Sequence, residues 1–224
     1  MRPSQGGSSP ARPASLQSPV STRGRGTTVS QHPQRKPLAL VTGASAGIGA
    51  ERIRAIVEDL RLLSSFQDTP SEPISVIRAI RVATRMSQHQ LRNRAHLIEE
   101  FDDVPTVMGN EARLTQVLIN LIVNAIHAMP DRPKTENEVC LRLFSIDDAV
   151  AIEVIDNGEG IPEEDLEHIF EPFFTTKPTG QGSGLGLALS RDIIDSFGGT
   201  LGVESRIHVG TRFRIELPRQ RNHS

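Results

Sequence analysis

The sequence predicts an α+β fold: a two-layer sandwich of a mixed sheet with helices on one face, preceded by a single helix and a disordered N-terminus. Three observations predict it. Across residues 74–218, strand-like and helix-like patterns segregate instead of alternating as regular βαβ units. One helical stretch, residues 114–129, is apolar nearly all the way round and so belongs inside a layered core. Two glycine clusters, one closing a strand and one opening a helix, mark places where backbone must approach something closely.

Residues 1–36 are Pro, Ser, Gly, Gln and Arg with almost nothing apolar, so they cannot offset the entropy of ordering and disorder is expected. An Arg- and Ser-rich start without acids also fits an organelle transit peptide, but its prolines spoil the amphipathic helix such a peptide needs. Residues 37–50 form a strand-like apolar run followed by Gly43, Gly47 and Gly49. The same glycines frame Ser45 with the spacing of a hydrolase nucleophile elbow, yet no sheet follows to carry an acid and a histidine. Over residues 51–66, Ile53, Ile56, Val57, Leu60 and Leu63 recur at helical spacing and give one apolar stripe. Residues 64–73 break that pattern with Ser, Asp and two prolines and read as a linker.

A second amphipathic helix is expected over residues 74–92, with Ile77, Ile80, Val82 and Met86 facing inward. Residues 95–101 and 104–107 read as short strands around a turn at Asp102 and Asp103. In the apolar helix over 114–129, Leu114, Val117, Leu118, Leu121, Ile122 and Ala125 share one face, leaving a polar strip of Gln116, Asn120, Asn124 and His127. Asn120 and Asn124 stand one turn apart and aim at the same place. They are either core amides satisfied by each other and their neighbours or oxygen ligands for a magnesium ion carried on phosphates. Residues 136–145 and 149–156 give two strands joined at Asp147 and Asp148. Residues 200–204 and 211–217 give two more, with Gly210 between them and Pro218 at the end.

Residues 155–187 read as a nucleotide site. Asp156, Gly158 and Gly160 follow an apolar strand, and Gly180, Gly182, Gly184 and Gly186 run into a helix over 185–197. Glycine backbone N–H groups and a helix N-terminus accept a phosphate. A carboxylate at a strand end repels phosphate but accepts a hydrogen bond from an exocyclic amine such as that of adenine. One stretch thus accommodates both ends of ATP.

Bulk properties narrow the partners. With 224 residues, 37% apolar, and a net charge of −2, the chain has no global bias toward nucleic acid. The first 50 residues hold six basic residues and no acid, so the remainder is acidic. The single cysteine, Cys140, excludes an internal disulfide and a cysteine zinc cluster and suits a reducing, cytoplasmic setting. No apolar run approaches the ~20 residues that cross a bilayer.

With those residues in place, residues 74–218 resemble the ATP-binding catalytic domain of sensor histidine kinases, within the superfamily of gyrase, heat-shock chaperone and mismatch-repair ATPases. NLIVNAIHA from Asn120 resembles the N box, DNGEGI from Asp156 the first glycine box, and FEPFF from Phe170 the phenylalanine box. GQGSGLGLALS from Gly180 resembles the second glycine box and GTRFRIELP from Gly210 the final turn and strand. The resemblance implies that Asp156 holds the adenine amino group, that Gly160 and Thr211 line the base pocket, and that Gly158 and Ile161 complete that box. It implies Asn120 and Asn124 as magnesium and phosphate ligands, with His127 beside the phosphates. Residues 173–182 would form a lid in which Thr175, Thr176 and Lys177 reach the phosphates and Gly182 ends the loop. Backbone amides of Gly184, Leu185, Gly186 and Leu187 would close on the triphosphate. Hydrolysing branches of the superfamily place a glutamate where Asn120 stands; an amide is no base, so ATP hydrolysis is expected to be slow. No side chain is expected to act as a catalytic acid or base.

Upstream, residues 51–66 resemble the second helix of a dimerisation hairpin whose first, phosphoacceptor helix is missing. Neither His32, among prolines, nor His89 or His96 stands before the acid of a phosphoacceptor motif. The resemblance therefore implies transfer from ATP to a histidine in trans. Partners would be an intact histidine kinase or a response regulator, and residues 51–66 could form a dimer. The alternative is a non-catalytic ATP-binding decoy that pairs with intact kinases. Residues 37–51 separately resemble the opening of a short-chain dehydrogenase, but that likeness stops there. No ribose-binding acid follows at about 20 residues, and the chain has no Tyr for that family's chemistry.

Overall fold

The computed structural model describes residues 71–177 and 182–220. The tail expected over 1–36, the glycine-rich segment 37–50, the helix 51–66 and Gly180 lie outside the described residues. The elements are β1 (Glu72–Ile74), α1 (Val76–Arg94), β2 (His96–Phe101), β3 (Val107–Gly109), α2 (Glu111–His127), β4 (Glu138–Ile146), β5 (Ala149–Asp156), α3 (Glu163–Leu166), α4 (Gly186–Ser196), β6 (Thr200–Arg206) and β7 (Gly210–Pro218). Five strands form one sheet in the order β2-β4-β5-β7-β6. β2 runs parallel to β4 and every other pair is antiparallel, so the sheet is mixed as expected.

Alternation along the strands sets the two layers apart. Leu141 and Leu143 of β4, Ile152 and Val154 of β5, and Ile215 and Leu217 of β7 point to the helical side and are buried. α2 fills the middle of that side, burying Leu114, Val117, Leu118, Leu121, Ile122, Ala125 and Ile126. Its first turn is closed by Asn110, whose side chain accepts a hydrogen bond from the Arg113 N–H at 3.0 Å.

Two expectations need correction. The inward face of α1 is Val76, Ala79, Ile80, Ala83, Ser87 and Leu91, while Val82 and Met86 are exposed. The small Ala and Ser residues mark the buried stripe because they let α1 lie close to α2; reading the largest side chains as the inner ones rotated the helix. The strand expected over 104–107 begins only at Val107, since Pro105 lacks the N–H that a ladder needs. It pairs antiparallel with Glu72–Ile74, part of which had read as linker; Pro73 is tolerated in this two-stranded ribbon.

The other sheet face is polar, and Glu153 stands at its centre, only 2% exposed. Arg142, Arg212 and Arg214 approach its carboxylate at 3.5, 3.8 and 3.5 Å. Arg142 also pairs with Glu100 and Arg214 with Glu216, so the charges alternate across four strands. Glu153→Gln keeps the shape and removes the charge that three guanidinium groups share. It should lower unfolding free energy by about 1–3 kcal/mol, measured by urea denaturation at low and high salt, with the deficit shrinking as salt screens the arginines.

Candidate functional site

A cleft of about 1120 Å³ opens between α2, the end of β5, the start of β7 and the N-terminus of α4. Among the sequence-predicted residues it is lined by Asn120, Asn124, His127, Asp156, Gly160, Ile161, Thr175, Thr176, Lys177, Gly182, Gly184, Gly186, Leu187 and Thr211. Gly158 and Leu185 stand just behind it. The Gly158 N–H donates to Asp156 Oδ1 at 2.8 Å, and Leu185, which is buried, precedes the first residue of α4.

At one end Asp156 terminates β5 and is 6% exposed. Its Oδ1 also accepts the Thr211 N–H at 3.3 Å, across the strand pairing that sets Asp156 opposite Thr211. Burial raises this carboxyl to a pKa of about 6, and the two N–H donors from Gly158 and Thr211 only partly oppose the shift. The second oxygen is left for a donor from the cleft. Ser205 binds the surroundings together: its Oγ lies 2.9 Å from Thr211 Oγ1, accepts the Ile161 N–H at 2.8 Å and donates to Gly210 O at 3.0 Å.

Toward the other end, the polar strip of α2 rises turn by turn through Asn120, Asn124 and His127. Asn120 Nδ2 donates to Ser190 Oγ at 3.0 Å, and that hydroxyl donates to Gly186 O at 2.9 Å, so the start of α4 is tied to α2. A Cβ on Gly186 would lie 2.5 Å from Asn120 Oδ1; only glycine lets the helix start come so near the amide. The Lys177 ammonium donates to Asn124 Oδ1 at 3.1 Å and to His127 Nδ1 at 3.1 Å. That contact makes His127 a neutral acceptor, and its pKa is held down first by burial and then by the Lys177 and Arg94 charges. Burial likewise lowers Lys177. Asn124 Oδ1 faces the Lys177 ammonium and Asn120 Oδ1 stands 3.5 Å from Asn124 Nδ2, so the neutral amide oxygens of this strip are of the kind that suits a hard divalent cation. Among the described residues no cluster of three or more His, Cys, Asp or Glu side chains could hold a metal.

Comparison with known proteins decides the family. The model of the histidine kinase-, DNA gyrase B- and HSP90-like ATPases matches residues 109–221. The chain belongs to this ATPase family. Within it, the chain is 32% identical over 197 residues to the C4-dicarboxylate transport sensor protein DctB of Rhizobium meliloti, covering 86% of this chain and 29% of that protein. It is 30% identical over 187 residues to the sensory histidine kinase/phosphatase NtrB of Rhizobium leguminosarum bv. phaseoli, covering 78% of this chain and 48% of the relative. The chain thus spans less than half the length of either of these curated relatives. Among solved structures, the nucleotide-free catalytic domain of histidine kinase ThkA superposes with a TM-score of 0.59 at 32% identity, covering 67% of this chain and 97% of that one. ThkA in complex with the response regulator protein TrrA gives a TM-score of 0.62 at 28% identity, covering 77% of this chain and 48% of that one.

Several lining or supporting residues escaped the sequence reading. Ser190, one turn into α4 from Gly186, could have been found from its spacing. Ser205 could not, because only the register of β6 on β7 sets it against Thr211. His89, Gln90, Asn93 and Arg94 of α1 also line the cleft, although nothing local in α1 points to it.

The raised carboxyl gives a pH signature. Adenosine, which carries no titrating phosphate, should bind with an affinity that falls about tenfold for each pH unit below a pKa of about 6, as protonated Asp156 loses its acceptor. Because the folded pKa lies above the unfolded one, Asp156 costs stability as pH rises from 3.8 to about 6. Asp156→Asn should therefore abolish adenosine binding while raising unfolding free energy at pH 7 by roughly 1–3 kcal/mol. Calorimetric titration and thermal melts check both halves.

Proposed function

We propose that this chain is the ATP-binding catalytic module of a two-component sensor histidine kinase and passes the γ-phosphoryl group of ATP to a histidine of another chain. The observation that carries this reading is the convergence of Asp156, the Asn120–Asn124 pair and the glycine-lined start of α4 on one cleft. In it, Asp156 orients the adenine amine, Asn120 and Asn124 hold a magnesium ion, and the N-terminus of α4 faces the phosphates with its positive end. The ion, when bound with ATP, neutralises charge on the phosphate oxygens. Lys177 and His127 stand at the same end as further phosphate partners.

Phosphoryl transfer makes few chemical demands on these side chains. The bond from the β–γ bridging oxygen to Pγ breaks, a nitrogen–phosphorus bond forms on the acceptor imidazole, and ADP leaves. The acceptor imidazole attacks through its unprotonated nitrogen and gives up its other ring proton to the acid that follows the acceptor histidine on the partner chain, so the base belongs to the acceptor and what the cleft supplies is position and charge. Water, by contrast, needs a base, and Asn120 is not one. Slow hydrolysis and competent transfer are therefore compatible in one site.

Transfer in trans is the reading that the histidines of this sequence support. Each of the seven is followed by Pro, Gln, Leu, Ala, Ile, Val or Ser, and none by the acid of a phosphoacceptor motif. The acceptor belongs to an intact histidine kinase that pairs with residues 51–66, and the phosphoryl group continues to a response regulator. A cytoplasmic setting supplies both ATP and regulator.

Incubation with γ-labelled ATP and a partner kinase that carries an acceptor histidine but cannot itself bind ATP should place label on that partner. A stable complex without label would replace this reading with the non-catalytic decoy. In the same assay Asn124→Ala should lower affinity for ATP in magnesium about tenfold and in EDTA about twofold or less, as removal of one metal ligand implies. Equal loss in both conditions would remove the metal role from Asn124.

A further inference from the structure

Asp156 Oδ1 accepts two backbone N–H groups, and that of Gly158, at 2.8 Å, is nearer than that of Thr211, at 3.3 Å. The pairing of β7 on β5 sets the Thr211 N–H. Gly158 lies in a loop outside helix and sheet, so another contact has to aim its N–H. A peptide unit is planar and trans, so its N–H and C=O point in opposite directions and turn together. The carbonyl that shares a peptide unit with the Gly158 N–H is that of Asn157, and it accepts Arg132 Nη2 at 2.8 Å. The Arg132 guanidinium and the Asp156 carboxylate therefore grip one peptide unit from its two ends.

Arg132 stands in the segment between α2 and β4, outside every box that resembles the family. It is itself held: Arg132 Nε donates to Asn137 Oδ1 at 2.6 Å, and Asn137, which is 2% exposed, donates from Nδ2 to Arg94 O at 2.9 Å. Neighbouring contacts fix the path of the loop. The Asn157 side chain donates to Glu136 O and accepts the Glu138 N–H, both at 2.8 Å, and the Glu159 N–H donates to Ala128 O at 2.9 Å. These pin the residues on either side; the tilt of the peptide between them is left to Arg132. Closing a loop explains the bond to Asn137. The bond to the carbonyl does more, because a cationic donor on a C=O polarises the amide and strengthens its N–H as a donor.

We infer that Arg132 is a positioning residue of the base socket: through the Asn157–Gly158 peptide it aims and strengthens the N–H that Asp156 accepts, and so prepares the carboxylate for the amine of a purine base. The ligand rests on the nucleotide reading above, whereas the link from Arg132 to Asp156 stands without it. The Gly158 N–H opposes the burial that raises the Asp156 carboxyl to about 6, so loosening it raises that carboxyl further. The other titratable or charged groups of the cleft are Glu159 beside Asp156, His89 and Arg94 of α1, His127 of α2, and Lys177. Burial and the two N–H donors cause the shift.

The experiment is a pH titration of the full chain, followed without ligand at the Asp156 carboxyl carbon by NMR and in parallel by adenosine affinity. Arg132→Met removes the guanidinium and keeps most of the stem. Its carboxyl midpoint should lie about one pH unit above that of the parent. Adenosine affinity should then fall about threefold at pH 6.5, and the loss should narrow by pH 9, where both carboxyls are ionised. Arg132→Gln keeps a neutral donor and should move the midpoint about half as far; it carries the test where the methionine variant does not fold. A folded variant that melts earlier but titrates like the parent has lost only a structural tie, which overturns the inference and leaves the nucleotide site standing. A midpoint that moves while adenosine affinity does not overturns the assignment of Asp156 to the base, on which the ligand half of the inference rests.

Discussion

Everything in the cleft is arranged around a carboxylate that has been taken out of water. Asp156 ends β5 between β4 and β7, where the pairing to Val139 and Thr211 leaves it no freedom to turn outward. Gly210 makes the arrangement possible: a Cβ there would collide with the Asp156 carbonyl oxygen, so β7 can start only on a glycine. Two backbone N–H groups satisfy one carboxylate oxygen, which is too few to cancel the desolvation that pushes the pKa to about 6. The stability given up leaves a desolvated acceptor, which gains more from an incoming donor than a hydrated one does.

The opposite end solves a different problem with different groups. Phosphates need donors and a cation, and a carboxylate base beside them would favour water as the nucleophile. α2 supplies amides instead, and its apolar remainder explains why they are so well placed. With Leu118, Leu121, Ile122 and Ala125 locked in the core, the strip bearing Asn120 and Asn124 has one rotation available about the helix axis. Packing of the helix thereby fixes the angle at which both amides meet the cleft.

This division also accounts for what the sequence disclosed. Patterns confined to one element were legible: the all-round apolarity of α2, the strand that ends in Asp156, and the glycines that open α4 each carry their meaning within a dozen residues. Most residues expected at the site sit on or beside those elements, and the structure brings them to one cleft. Features that depend on which surface another element covers were not legible. The buried stripe of α1 consists of Ala79, Ala83 and Ser87, and small residues declare a face only once the neighbour that packs on them is known. The strand at Val107 needs Glu72–Ile74, far off in sequence, as its partner. Ser205 and the cleft-facing residues of α1 enter the site through strand register and helix docking, which hydrophobic periodicity does not encode.

The two ends of the cleft differ, finally, in how firmly they are built. At the base end, Asp156, Thr211 and Ser205 are set by strand register, and moving any of them would break the ladder between β5, β7 and β6. At the phosphate end, Lys177 is held by two side-chain contacts at 3.1 Å to Asn124 and His127, in a segment outside both helix and sheet. Exchanging such contacts for phosphate oxygens needs only rotamer changes, whereas exchanging those around Asp156 needs the sheet to open. The cleft therefore has a preformed end at Asp156 and an adaptable end at Lys177. In the kinase reading proposed above, the rigid end would hold what ATP and ADP share and the adaptable end would meet the phosphate that only ATP carries, so the contacts of Lys177, Asn124 and His127 would have to tell the two apart.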